Sequence, residues 1–303
     1  MAEPESASFG QTALVPNVVL VDSHLHLSDP PLRDDVASVV LRARKAGVRF
    51  LISNGLRQVM DPKVRLSQRY LEVKLAVGLS HWFADEERCQ TTFGMNHQEA
   101  FAFIRTQLQQ PDAVSIGEVG LEIPPTGAEA NHYQSGNYLI MGDRYGWPPG
   151  VENQVRLLAA QLDIARDTGA PVSCHCGNAE GVILQLLAEP RWAGVRGLIH
   201  GFVGSPEEAM AFARRGWFLS LNCSAFYPKY AGVADSIRAV GLEHLLLESD
   251  APGMPIDPAG PPTNESTCLQ YVAKSIATVL GEDEAKVARV TSVNAMALFH
   301  LAL

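Results

Sequence analysis

The chain has 303 residues, enough for one large α/β domain, and a composition (47% hydrophobic, 19% charged) that supports an ordinary buried core. A formal net charge of −9 gives no general attraction to nucleic acid or to an anionic membrane, so a phosphate-bearing substrate would have to be held locally. The five scattered cysteines exclude a disulfide framework and fit a reducing, cytoplasmic setting, and no apolar run approaches the roughly 18 residues of a membrane span.

The opening MAEPESASFGQT has neither a basic n-region nor an apolar h-region, so residues 1–16 are expected to form a disordered tail rather than a signal peptide. Eight short apolar runs then alternate with amphipathic stretches: VVLVDSHLHL (18–27), RFLISNG (49–55), KLAVGLS (74–80), AVSIGEVGL (113–121), APVSCHC (170–176), GLIHGFVG (197–204), WFLSLN (217–222) and LLLESD (245–250). Most lack apolar/polar alternation, which marks strands buried on both faces of a parallel sheet. Between them lie helix signals. VENQVRLLAAQLDIARDTGA repeats apolar residues at helical spacing and should stop at Gly169, ahead of Pro171. Ser205-Pro206-Glu207-Glu208 reads as a capping box with Pro at N1, and Thr291 to Leu303 as a final helix.

Repeated strand-then-helix units imply right-handed crossovers, and the count favours a (β/α)8 TIM barrel over a doubly wound sheet. One domain is expected over residues 17–303. Two connections break its rhythm: a long Gly/Pro-rich loop over 123–150 with Tyr133, Tyr138, Tyr145 and Trp147, and a Pro-rich loop over 251–264. Both leave C-terminal strand ends, the face where barrels keep their chemistry, and the aromatic loop is expected to cover it.

His24 and His26 close the first run two residues apart and therefore project the same way. Glu118 lies near the end of the fourth run, His175 ends the fifth, His200 lies in the sixth and Asp250 ends the eighth. Singly, each has a plain structural reading: a core histidine with a hydrogen-bond partner, a glutamate paired with arginine, an aspartate capping a turn. Jointly, six polar residues at the strand ends of apolar runs read as a metal site, because such groups are expensive to bury unsatisfied. The imidazole–carboxylate mixture suits Zn²⁺, Mn²⁺ or Fe²⁺ better than Ca²⁺. Cys174 and Cys176 flank His175, but no second pair lies at finger spacing, so no structural zinc knot is expected. Among the other histidines, His81 follows the third run and is a candidate substrate contact together with Trp82. His97, His132, His244 and His300 read as structural or surface residues.

The motifs VDSHLHL, SIGEVGLE, APVSCHC, LIHGFVGSPEEA, LLLESDAP and TSVNAMALF, in this order from residue 21 to 299, resemble those of the TatD family of metal-dependent hydrolases and deoxyribonucleases, within the amidohydrolase-type barrels. The resemblance implies that His24, His26 and Asp250 hold one metal, that His175 and His200 hold another, and that Glu118 bridges them. Two divalent ions are implied, with Zn, Mn, Fe and Mg all compatible. Such a pair, ~3.5–4 Å apart, lowers the pKa of a shared water and stabilises the attacking and leaving oxygens, with Asp250 as the acceptor of the water's proton.

Three departures stand out. The family's His-Pro-His after the third strand is replaced by Leu79-Ser80-His81-Trp82. The Arg that usually follows the fifth-strand histidine is missing from His175-Cys176-Gly177-Asn178, and GLD has become Gly120-Leu121-Glu122. The metal ligands are kept while the phosphate-facing groups are altered. The expected activity is therefore a TatD-like, metal-dependent cleavage of a phosphodiester, of the 3′-5′ DNA exonuclease type. An amide, lactone or aminoacyl ester hydrolase with the same centre is the alternative, and a non-catalytic metal-binding barrel is the third reading. The expected partner is a small molecule or a nucleic-acid end, with the protein a monomer and no membrane or stable protein partner involved.

Overall fold

A computed structural model describes residues 19–60, 65–124, 148–259 and 263–302. The expected tail over 1–16, most of the 123–150 loop with its four aromatic residues, and His132 lie outside the described residues. In chain order the elements are β1 (Leu20–Leu25), α1 (Val36–Lys45), β2 (Val48–Asn54), α2 (Arg57–Met60), β3 (Val73–Ala76), α3 (Glu86–Phe93), α4 (His97–Gln107), β4 (Ala113–Glu122), α5 (Val151–Thr168), β5 (Val172–Gly177), α6 (Glu180–Leu187), β6 (Gly197–Ile199), α7 (Pro206–Ala213), β7 (Phe218–Leu221), α8 (Val233–Val240), β8 (Leu245–Leu247), α9 (Leu269–Leu280) and α10 (Glu284–Leu298). Each strand pairs in parallel with the next, in the order β1 to β8. Beyond β8 the Asp250 N–H donates to the His24 carbonyl at 2.9 Å and the His26 N–H to the Ala251 carbonyl at 2.7 Å, which joins the last strand back to the first. The molecule is a (β/α)8 barrel.

Local signals account for the helix ends. Gly169 stops α5 in the left-handed conformation (φ 74°), which a Cβ would resist. Ser205 and Glu208 form the reciprocal capping box that opens α7. The last helix departs from expectation: α10 runs Glu284–Leu298, started by Asp283 accepting from the Lys286 N–H, and Thr291 lies buried in its interior. Several strands also stop before their apolar runs do: β1 ends at Leu25, so His26 lies just past it. β6 ends at Ile199, so His200 lies just past the strand, and β8 ends at Leu247, short of Asp250. Gly201 (φ 59°) and Asp250 (φ 51°) adopt left-handed backbone, through which a strand cannot continue. Both turns direct the chain over the mouth of the barrel.

One large apolar cluster fills the space between strands and helices. A smaller one joins Val21, Ile52, Ala76, Leu198 and Leu246 to Ala295 and Leu298 of α10 and to Phe299 just after it. β3 and β6 are not neighbours, so Ala76 and Leu198 meet only inside the barrel; α10 covers the N-terminal end. That leaves the C-terminal end to polar groups. Among the described residues no helix is long and apolar enough to cross a membrane.

Candidate metal centre

The six residues singled out from the sequence converge at the C-terminal mouth. Two of them sit at irregularities in the sheet: the β1–β2 register shifts between Asp22 and Leu25, around His24, and the β4–β5 register shifts between Ile116 and Val119, around Glu118. Irregularities of this kind re-aim a side chain that regular pleating would turn aside.

Their donor atoms form two triangles. His24 Nε2 and His26 Nε2 lie 3.2 Å apart, and Asp250 Oδ1 is 3.8 and 3.4 Å from them. In the second, His175 Nδ1 and His200 Nε2 lie 2.9 Å apart and Glu118 Oε1 is 3.1 Å from each. The other oxygen of Glu118, Oε2, faces His26 Nε2 at 3.9 Å. One carboxylate thus reaches both sets. Donors on a tetrahedral cation with bonds of ~2.0–2.1 Å stand roughly 3.3 Å apart, so both triangles have suitable edges.

The second ring nitrogens of His24 and His175 are hydrogen-bonded on the outer side, and that of His200 faces a carboxylate without a hydrogen bond. His24 Nδ1 lies 2.8 Å from Ser173 Oγ, and Glu122 Oε2 accepts from His175 Nε2 at 2.6 Å. Glu248 Oε1 stands 3.6 Å from His200 Nδ1 and is itself held by the Gly201 N–H and Asn222 Nδ2. An ionised carboxylate only accepts, so Glu122 holds a proton on His175 Nε2 and leaves Nδ1, which donates to Glu118 here, as the nitrogen that a cation would take over. This arrangement of outer partners is what a metal-ligating imidazole requires.

Electrostatics agree with the donor chemistry. Burial opposes the charge of Glu118, but hydrogen bonds from His175 and His200 hold its carboxyl well below the usual range. Burial likewise opposes protonation of His26 and His175, yet Asp250 and Glu118 around the first, and Glu118 and Glu122 around the second, push both up to about 9. His24, desolvated and beside His200 and His26, is pushed well below its ordinary value. The cluster therefore has a strong demand for positive charge at its centre. Burial raises the thiols of Cys174 and Cys176, which keeps them protonated and argues against a thiolate site.

His81 is buried at 1% exposure, stacks on His175 with ring centroids 4.6 Å apart, and has both ring nitrogens without a hydrogen-bond partner among the described residues. Burial lowers its pKa to about 3, so the imidazole is neutral. Trp82 is also buried and belongs to the apolar cluster, and its carbonyl accepts from Arg88 Nη1. His97 and His244 serve packing: His97 Nε2 lies 2.8 Å from the Phe83 carbonyl and His244 packs near Phe218.

The residues that the sequence did not single out as part of the site are Glu122, Ser173 and Glu248. Glu248 in LLLESD carried a signal, being a carboxylate inside an apolar run. Ser173 carried none. Glu122 fits beneath β5 because residue 177 is glycine: a Cβ there would lie 2.1 Å from Glu122 Oε2.

Comparison with known proteins now adds the family. The model described as TatD related DNase matches residues 21–300. The chain belongs to the TatD family. It is 28% identical over 290 residues to human Deoxyribonuclease TATDN3, covering 93% of this chain and 95% of that protein. It is also 28% identical to the 3′-5′ ssDNA/RNA exonuclease TatD of Shigella flexneri, covering 93% of this chain and all of that protein. Among solved structures, the TatD homologue YjjV of Escherichia coli superposes with a TM-score of 0.74 at 22% identity, covering 93% of this chain and 98% of that one. This TatD protein is accordingly a deoxyribonuclease-like, metal-dependent hydrolase acting on ester bonds, which leaves the amide, lactone, aminoacyl-ester and non-catalytic readings unfavoured.

Proposed function

We propose that this TatD protein uses a pair of divalent cations to cleave phosphodiesters at the 3′ end of single-stranded nucleic acid. In this reading His24, His26 and Asp250 hold one cation, His175 and His200 hold the other, and Glu118 joins them. Zn, Mn, Fe and Mg remain compatible ions. The observation that carries the reading is the two donor triangles reached by opposite oxygens of Glu118. The nuclease names of its relatives support the substrate class. When bound, the cations would supply Lewis acidity and a water acidic enough to attack at neutral pH.

The chain's own groups then do the rest. Asp250, poised beside both histidines of the first triangle, accepts the proton of the attacking water. Glu122, Ser173 and Glu248 hold the imidazoles in register. His81, neutral and unpartnered, offers a ring N–H to a phosphoryl oxygen, a contact made through a group other than the arginine seen elsewhere in the family. Trp82 supports it from the apolar layer. The enzyme works as a monomer in the cytoplasm, a reducing compartment that its five unpaired cysteines fit.

Elemental analysis tests the centre, and a 3′-labelled single strand tests the substrate. About two metals per chain, falling to one or fewer in Glu118→Ala, together with stepwise loss of 3′ nucleotides, is the expected result. Two metals with hydrolysis of small lactones but not of DNA would refute the substrate and keep the centre.

A further inference from the structure

The opposite end of the barrel carries a concave feature of another kind. A cavity of about 470 Å³ opens between the segments that lead into β6 and β7, with Trp192 and Trp217 in its floor and Arg196, Arg214 and Arg215 around it. Those strands begin at Gly197 and Phe218, whereas His200 and Asp250 follow strand ends, so the cavity and the metal centre face away from each other. Gly216, in left-handed backbone (φ 73°), makes room for the Arg196 side chain: a Cβ there would lie 3.0 Å from Arg196 Nε.

The three guanidinium groups are underused. Arg196 Nη1 donates to the Ala193 and Val195 carbonyls at 3.1 and 3.3 Å, and Arg215 Nη1 to the Leu187 carbonyl at 3.2 Å. These bonds anchor two forks by one nitrogen each and leave the remaining N–H groups directed elsewhere. The side chain of Arg214 has no hydrogen bond or ion pair among the described residues. The nearby acids are engaged by other cations: Glu189 by Arg191, and Asp163 by Arg166 and Arg191. Three positive charges are thus gathered without a carboxylate partner, in a chain of net charge −9. The end of α7 favours cations at Arg214 and Arg215 through its dipole. Arg196 comes from a different segment, however, and lines the same cavity.

Planar guanidinium forks match the oxygens of phosphate, and several together favour a dianion over a single carboxylate. The volume is that of a small-molecule site, larger than a bare oxyanion needs, while Leu187, Val195 and the two tryptophans close its floor and are themselves buried. We propose that this cleft binds a phosphate monoester, its phosphate on Arg196, Arg214 and Arg215 and its organic part in the volume that the phosphate leaves. The site stands independently of the nuclease reading.

Titration calorimetry of the metal-loaded protein with deoxyadenosine 5′-monophosphate and, separately, with inorganic phosphate tests it. Arg214→Glu, at an exposed position, and Arg196→Ala/Arg214→Ala should each weaken monoester binding at least about tenfold while metal content and unfolding midpoint stay unchanged. Inorganic phosphate should bind more weakly than the monoester, and both should weaken as salt rises. Binding that is unchanged in both variants would assign all anion affinity to the metal centre and overturn the proposal. So would equal affinity for the two probes, since the volume beyond the phosphate would then contribute nothing. Neither outcome depends on whether DNA is cleaved.

Discussion

Replacing Gly177 with alanine is the most discriminating change the structure suggests. The added Cβ would lie 2.1, 2.3 and 2.4 Å from Oε2, Cδ and Oε1 of Glu122, so the carboxylate must retreat. It has to move by about an ångström or more to reach ordinary contact. The backbone cannot move with it, because Gln154 grips residue 122 from both sides, accepting from its N–H at 2.7 Å and donating to its carbonyl at 2.9 Å. The movement therefore falls on the side chain and breaks its 2.6 Å bond to His175 Nε2. A charge-assisted hydrogen bond of this kind contributes about 1.5–3 kcal/mol, and loss of such an outer partner lowers metal affinity roughly 10–100-fold. Competition with a graded chelator measures this directly. Gly177→Ala should bind its second metal about 10–100-fold more weakly, with the fold intact by circular dichroism. Adding Glu122→Asp, which withdraws the carboxylate by one methylene, should recover part of the loss. Unchanged metal affinity in Gly177→Ala would show that the Glu122 contact does not orient His175, and the account of the outer partners would be wrong.

Three further outcomes are expected. Ser173→Ala removes the partner of His24 Nδ1 and should weaken metal binding about tenfold, read by the same competition; an unchanged constant would remove Ser173 from the site. His81→Ala should raise KM for a 3′ single strand several-fold and leave metal stoichiometry at the parent value; a fall in metal content instead would recast His81 as a ligand. Asp22 bears on stability: burial pushes its carboxyl up to about 7 from 3.8, against hydrogen bonds from Ser249 and Ser266. The folded chain then keeps a proton that the unfolded chain releases, so this stabilisation is complete below about pH 4 and declines as pH rises toward 7. Asp22→Asn should flatten the unfolding midpoint across that window, and a retained slope would assign it to another group.

The architecture was legible because it is written in local pattern. Eight apolar runs without alternation become eight parallel strands, and Ser205 with Glu208 and Gly169 mark helix ends by their own backbone chemistry. The six proposed ligands were legible for a related reason: an imidazole or carboxylate inside an apolar run is anomalous wherever the run ends up. Where the strands stop was not legible. His200 and Asp250 leave the ladder through left-handed turns, at Gly201 and at Asp250 itself, that apolar composition does not announce.

The outer partners escaped for a deeper reason. Ser173 and His24 are 149 positions apart and Glu122 and His175 are 53 apart, so no spacing rule relates them. The glycine at 177 likewise has meaning only through the carboxylate of the neighbouring strand that fills its side-chain space. The arginines at 196, 214 and 215 look like solvated surface until β6 and β7 bring their leading segments together. The sequence by itself determined which elements form, their order and which ionisable side chains stand at the ends of apolar runs, because propensity and burial act on each residue and its near neighbours. The tertiary structure alone decided which nitrogen of each histidine faces inward and which charges share a cavity, because both depend on how the closed barrel sets distant strands side by side.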